Sequence, residues 1–153
     1  MGLPTFLTTM AGTYRGDSFL HLPWLEGQTI FQSESALSVR IGERNSYAVL
    51  DYTWSEEGVA QSGSMILHSS EARECTMGWS DSWHQGAIMP LKGESSDQAL
   101  RVEGTYSAGD GTPDWFWEIS LKPGESGSLH LEMTNISPER VAEWAVRAEY
   151  QRI

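Results

Sequence analysis

The residues of this chain best placed to do chemistry lie in one short stretch, "TMGWSDSWHQG", residues 76 to 86. Trp79, Asp81 and Trp83 occupy alternate positions there, so in a strand all three share a face, with Ser80, Ser82 and His84 on the other. An acid flanked by two indoles is a desolvated acid. Burial raises a carboxyl's proton affinity, which suits Asp81 to general acid or base work with Tyr52 or Tyr106 as a phenolic partner. The same pattern suits a second task, in which Asp81 is one of a few polar anchors in an aromatic-walled binding cavity. A purely structural role is the third choice: an aspartate that accepts hydrogen bonds from a strand-end backbone or pairs with an arginine. The sequence holds no Gly-x-Ser-x-Gly elbow, no phosphate loop and no ordered Ser, His and Asp set.

A sheet is needed to hold these residues. Short runs rich in Val, Ile, Tyr, Trp and Thr recur along the chain, each ended by Gly, Pro, Ser, Asn or Asp, as in antiparallel sandwiches and barrels. The pattern predicts ten strands, near residues 10 to 21, 30 to 41, 46 to 54, 59 to 68, 73 to 83, 86 to 92, 99 to 106, 114 to 121, 128 to 135 and 142 to 152. Most links are of hairpin length. The first, "LPWLEGQ", is longer and carries Trp24 and Leu25, which suits it to fold over an opening.

Alternation separates inside from outside. Ala48, Leu50, Tyr52 and Trp54 form one apolar face, as do Trp115, Trp117, Ile119 and Leu121, and Leu129, Leu131, Met133 and Asn135. By the same rule Cys75, Met77, Trp79, Asp81 and Trp83 point inward, and Glu74, Thr76, Ser80, Ser82 and His84 outward, which makes Asp81 the only acid on an inner face. The last segment, "SPERVAEWAVRAEYQRI", reads two ways. As a helix it has Ser137 as N-cap, Pro138 in the first turn, and Val141, Trp144, Ala145 and Ala148 at helical spacing. As a strand it turns Ala142, Trp144, Val146, Ala148 and Tyr150 to one face. The strand is preferred, because closing a barrel removes the edges an open sheet leaves bare.

A chain of 153 residues suits one domain spanning 1-153. With 21 acidic against 10 basic side chains and a net charge of -11, its field repels phosphate backbones and anionic headgroups, so neither nucleic acid nor a membrane is an expected partner. Cys75 is the only cysteine, which precludes an intramolecular disulfide and suits a reducing, cytoplasmic setting. The opening "MGLPTFLTTMAGTYRG" lacks a basic n-region and is interrupted by Pro4, Thr8 and Thr9, unlike a signal peptide. No apolar run approaches the roughly 20 residues of a membrane helix, and a soluble protein is expected.

"AGTYRGDSFLHLP", "AVLDYTW", "CTMGWSDSW", "VEGTYS" and the closing "EYQRI" follow one another from about Met10 to the carboxyl terminus. In that order they resemble a bacterial family of small lipocalin-like barrels of the calycin group, a domain of unknown function. The resemblance implies an all-β, antiparallel up-and-down barrel. Lipocalins open with a Gly-x-Trp strand whose indole closes one end of the barrel beside an arginine near the last strand. Gly12, Thr13 and Tyr14 stand in that place here, with tyrosine for tryptophan and Arg152 as the implied partner.

Three functional readings follow. A ten-stranded barrel is wider than the roughly eight strands that side chains alone fill, which leaves room for a small, largely apolar or aromatic ligand. Phe31, Tyr52, Trp54, Met77, Trp79, Trp83, Met89, Trp115, Trp117, Met133 and Trp144 would form the wall, with Asp81, Gln61, Tyr106 and Asn135 as orienting groups. Against this, the seven tryptophans simply fill the core. The second reading is a barrel enzyme of isomerase, cyclase or lyase type that uses Asp81. The third is haem binding, as in the nitrobindins, a related barrel class with a similar Gly-rich first strand and a haem-holding histidine. His21, His68, His84 and His130 are scattered, and the last three fall on predicted outer faces. No pair has ligand spacing, so neither a metal nor a cofactor is expected. Small-molecule binding is the reading the residues favour.

Overall fold

The computed structural model describes residues 2 to 153. Ten strands form a closed barrel: β1 (Gly12–His21), β2 (Ile30–Ile41), β3 (Tyr47–Glu56), β4 (Val59–Ser69), β5 (Glu74–Asp81), β6 (Met89–Ser95), β7 (Leu100–Tyr106), β8 (Trp115–Pro123), β9 (Leu129–Ile136) and β10 (Ala142–Arg152). Each strand pairs antiparallel with its sequence neighbours, and β1 closes on β10 with Tyr14 opposite Arg152 and Leu20 opposite Val146. This is a closed antiparallel up-and-down barrel, consistent with the lipocalin-like fold that the resemblance implies, and the final segment is a strand. The inner faces are those the alternation gave: Leu50, Tyr52, Trp54, Cys75, Met77, Trp79, Ile119 and Leu131 are all buried.

The end of the barrel at which β1 begins is plugged. A one-turn helix, α1 (Thr5–Thr8), inserts Phe6 and Leu7, joined by Leu3 and Met10. Tyr14 is wholly buried and donates its hydroxyl to the Met10 carbonyl at 2.7 Å. Arg152 donates to the Tyr14 hydroxyl at 3.0 Å and to the Thr9 carbonyl at 2.7 Å, with its guanidinium 5.5 Å from the ring centroid. The tyrosine and arginine implied by the resemblance therefore meet. The helix was not foreseen in this place. Pro4 precedes it at φ -58, and its four residues are held by the burial of Phe6 and Leu7, since so short a helix has little stability of its own.

The middle of the barrel is filled. Leu37, Leu50, Met65, Leu67, Leu131 and Met133 meet across it, and the polar groups among them are paired. Ser35 donates to the Thr53 carbonyl at 2.7 Å, so the Tyr150 hydroxyl donates to Ser35 at 2.8 Å, and burial pushes the Tyr150 phenol up to about 12.

Two expectations fail locally. Between Trp144 and Val146 the β10–β9 register slips: Trp144 pairs with Thr134 but Val146 with Met133. This β-bulge turns Trp144 to the outside, where it stacks on His21 at 4.4 Å beneath the Arg147 guanidinium, and it leaves Ala145 against the core. Trp144 is thus no part of an inner wall. The second failure lies in β5, which ends at Asp81 rather than at residue 83.

Cys75 is 1 % exposed within β5, so a bulky thiol reagent can reach it only through opening of the barrel. Native protein is expected to label on the order of a hundredfold or more slowly than protein in denaturant, measured by mass spectrometry over time.

Candidate functional site

The open end of the barrel centres on the carboxylate of Asp81, which is 3 % exposed. Tyr52 donates to Oδ2 at 2.5 Å and the Trp54 indole to the same oxygen at 3.3 Å. Oδ1 accepts the backbone N–H groups of Trp83 at 2.8 Å and His84 at 3.0 Å. Four donors match the roughly four lone-pair sites of a carboxylate, so both oxygens are fully engaged. The phenol that reaches Asp81 crosses a strand to do so. Tyr52, Gly63 and Asp81 lie in one row over β3, β4 and β5, and a Cβ on Gly63 would stand 2.2 Å from the Tyr52 hydroxyl oxygen. Glycine at that point is the gap through which the bond is made. The Trp79 indole donates to Tyr52 in turn at 2.9 Å. Burial first, then the Asp81 charge, raises the Tyr52 phenol far above its ordinary value and keeps it a donor.

The turn that Asp81 holds carries His84 into the barrel. Its imidazole sits among four indoles, with centroid distances of 5.6 Å to Trp54, 5.7 Å to Trp79, 4.9 Å to Trp83 and 5.5 Å to Trp117. Burial lowers the proton affinity of this histidine, and the nearby Asp81 charge offsets that only in part. Below His84 there is a void of about 10 Å³, against Tyr52, Trp54 and Tyr150, at the lower limit of room for one water. Above it opens a cavity of about 330 Å³. His84 is its floor. Trp79 and Trp117 wall it with indoles stacked at 5.4 Å and 5°, while Trp83 and Trp24 stand at the rim and Leu20, Leu22, Met89 and Ala145 supply aliphatic surface. The polar lining is His21, Gln85, Tyr106 and Asn135, with Tyr106 donating to Asn135 Oδ1 at 2.5 Å. Burial raises the Tyr106 phenol.

The sequence-derived site residues divide by depth. Trp79, Trp83, Tyr106, Trp117 and Asn135 line the cavity, as does Met89 of the expected wall. Tyr52, Trp54 and Asp81 form the layer that carries its floor. Met77 is buried deeper, between Leu67 and Leu91. Trp115 is half-buried opposite Tyr106 and, like Gln61, does not line the cavity; Gln61 accepts a hydrogen bond from Ser82 at 2.7 Å. Trp83 is in the turn rather than on a strand, 37 % exposed, with its ring edge-on to Trp54.

His84 is the residue that sequence reasoning misplaced, since alternation assigned it to the outer face. The strand stops at Asp81, and the carboxylate captures the next two available N–H groups in an Asx turn, which reverses the side on which residue 84 emerges. The Asp-Ser start and the Gly86 that follows were the available signal. The same geometry bears on haem: four indoles crowd the imidazole, and the cavity it faces, about 330 Å³, is at the small end of the range for ligand pockets and too small for a macrocycle, so the site does not fit that group. Among the described residues no cluster of three or more His, Cys, Asp or Glu could hold a metal ion.

Fold and site together define a lipocalin-like barrel with one plugged end and one aromatic, open end. No protein-family model matches the chain, and no curated protein sequence matches it. Among the described residues no helix is long and apolar enough to cross a membrane.

Two outcomes are expected from this geometry. Asp81→Asn places an NH₂ among groups that are themselves donors, and should cost about 2–4 kcal/mol, or roughly 4–16 °C in melting temperature at about 2–4 °C per kcal/mol. A melting temperature unchanged in calorimetry would contradict the structural role of the carboxylate. For His84 the folded-state proton affinity lies below the unfolded one, near 6.5, so its stability contribution is present above that pH and is lost as pH falls below it. Between pH 6.5 and 5, stability from urea titrations should fall by up to about 1.4 kcal/mol per pH unit, and His84→Gln should flatten that slope.

Proposed function

We propose that the protein binds a small, largely apolar or aromatic molecule in the cavity at the open end of the barrel. The observation that carries this reading is the contrast between the two halves of the interior. The lower half is filled to within a void of about 10 Å³, whereas the upper half keeps about 330 Å³ above His84, walled by the Trp79 and Trp117 stack. That volume falls at the small end of the range of about 300–1,000 Å³ for ligand pockets, room for a molecule of two or three rings. Trp24, 71 % exposed on the long first connection, lines the rim and is placed to cover what is bound. An indole so exposed and bordering an apolar cavity is what a binding site requires and a filled core does not.

The engagement of both Asp81 oxygens favours binding over catalysis by that residue, because its donors would have to be broken before it could take a proton from a ligand. The ordered motifs and the Tyr14–Arg152 closure support a place in the bacterial lipocalin-like family that the sequence resembles. The free, buried Cys75 fits a cytoplasmic protein.

N-phenyl-1-naphthylamine, a neutral fluorescent probe, is expected to brighten on binding with one site per chain. Ala145→Phe, which fills the cavity from β10, should weaken it by roughly tenfold or more while circular dichroism stays unchanged. Native mass spectrometry of freshly purified protein should show one small molecule retained. Probe binding that is indifferent to the Ala145 substitution would refute the cavity as the site.

A further inference from the structure

We infer that the cavity selects a neutral aromatic hydroxyl compound, a phenol or naphthol, whose hydroxyl donates to the His84 imidazole and accepts from the Asn135 side-chain amide. This rests on the binding reading above and specifies its ligand. His84 forms the floor of the cavity, yet among the described residues nothing hydrogen-bonds its ring. Trp117 Nε1 is the one unpaired side-chain nitrogen or oxygen sealed from solvent among the described, non-exposed residues, so the unpaired nitrogens of the half-buried His84 are reachable. The ring borders the cavity above and the void of about 10 Å³ below, and its nitrogens open on those two spaces. Burial keeps this imidazole neutral at neutral pH, so one nitrogen carries a proton and the other is a bare acceptor. Asn135 supplies the other half. Its Oδ1 accepts from Tyr106 at 2.5 Å, closer than an amide N–H stands to an oxygen, which leaves Nδ2 as the donating end; that nitrogen is unpaired and likewise reachable. Trp117 brings the two groups together, because its ring centroid is 5.5 Å from that of His84 and Asn135 is its direct partner across the β8–β9 ladder.

The lining thus offers an acceptor and a donor, and a hydroxyl answers both from a single atom. A ketone or an ether would meet Asn135 but leave the bare His84 nitrogen without a donor, and a hydrocarbon would meet neither. Tyr106 adds a second acceptor, since its own proton is committed to Asn135. Charge of either sign is disfavoured. No lysine or arginine lines the cavity and the chain carries a net charge of -11, so a carboxylate or phosphate is repelled. An ammonium would find no carboxylate free to meet it, because both Asp81 oxygens are occupied by donors of the protein itself. The Trp79 and Trp117 indoles supply the flat wall against which an aromatic ring packs.

Four probes on one bicyclic ring test this at neutral pH: naphthalene, with no polar group; 2-methoxynaphthalene, which only accepts; 2-naphthol, which donates and accepts; and 2-naphthoate, an anion. The protein's four histidines give their ring-nitrogen signals in a long-range nitrogen-15 correlation spectrum, and His84→Phe identifies the pair that matters. Saturating 2-naphthol should move the unprotonated His84 nitrogen upfield, and 2-methoxynaphthalene should leave it in place. By displacement of N-phenyl-1-naphthylamine, 2-naphthol should bind roughly five- to tenfold more tightly than naphthalene, and the ether and the anion should both bind more weakly than 2-naphthol. His84→Phe or Asn135→Leu should each remove most of the advantage of 2-naphthol over naphthalene. If one variant fails to fold, the other and the wild-type spectrum still decide. Equal affinity for 2-naphthol and naphthalene, an unmoved His84 nitrogen, or preference for the ether or the anion overturns the hydroxyl anchor while the binding reading stands. Failure of all four probes to bind overturns both.

Discussion

A charge taken out of water must be given donors in exchange, and the open end of this barrel is arranged around that requirement at Asp81. Desolvating a carboxylate costs several kcal/mol, which its partners must offset. Here they come from two places in the chain: two side chains of β3, Tyr52 and Trp54, and two backbone N–H groups of the turn after β5. The carboxylate thereby ties a strand to a turn across an intervening strand, and Gly63 on that strand is bare because the tie passes over it. One acid specifies the residue beside it, the glycine between, and the path of the loop beyond.

The position of that loop divides the interior. Because the turn brings His84 inward, the barrel is capped from within by an imidazole, and everything below the cap is close-packed while the space above stays open. The aromatic residues accordingly do two kinds of work. Trp54 and Trp79 have their N–H groups engaged in the Asp81–Tyr52 network, Trp54 in the layer beneath the cavity and Trp79 in its wall. Trp117, stacked flat on Trp79, presents the same ring without a partner. Two stacked indoles of one wall thus differ in whether the protein itself supplies a partner for the N–H.

How much of this the sequence carried depends on which geometric variable is asked for. The period-2 pattern determined which face each residue takes, so Asp81 was recognisable as a lone inner-face acid, and β10 as the strand that closes the barrel. Period does not encode height along the barrel axis. Met77 and Trp79 share a face and a strand, yet one lies deep between Leu67 and Leu91 and the other walls the cavity. Gln61 and Trp115 were misjudged in the same way. Phase was lost at two points where the backbone departs from a regular strand: the bulge that turns Trp144 out and the Asx turn that brings His84 in. The bulge leaves no mark in "EWAVR", since its cause is the register of β9. The turn did leave one, in an aspartate followed by serine and, a few residues on, glycine, but a strand running on to Trp83 fitted the alternation equally well.

The meander has a kinetic side. Nine of the ten ladders join strands that are neighbours in sequence, so each can form as a hairpin with a short loop to close. The tenth, between β1 and β10, joins the two ends of the barrel through nearly the whole chain, with Tyr14 opposite Arg152 and Leu20 opposite Val146. Its loop-closure entropy is the largest in the molecule and must be met before its contacts return anything. The β1–β10 seam, fastened at the plugged end by Arg152 on Tyr14 and Thr9, is therefore the last to zip in folding and a latch on unfolding. Contacts absent from the transition state retard unfolding most, so the lifetime of the closed barrel is governed at this seam, on the far side of the molecule from the Asp81 turn.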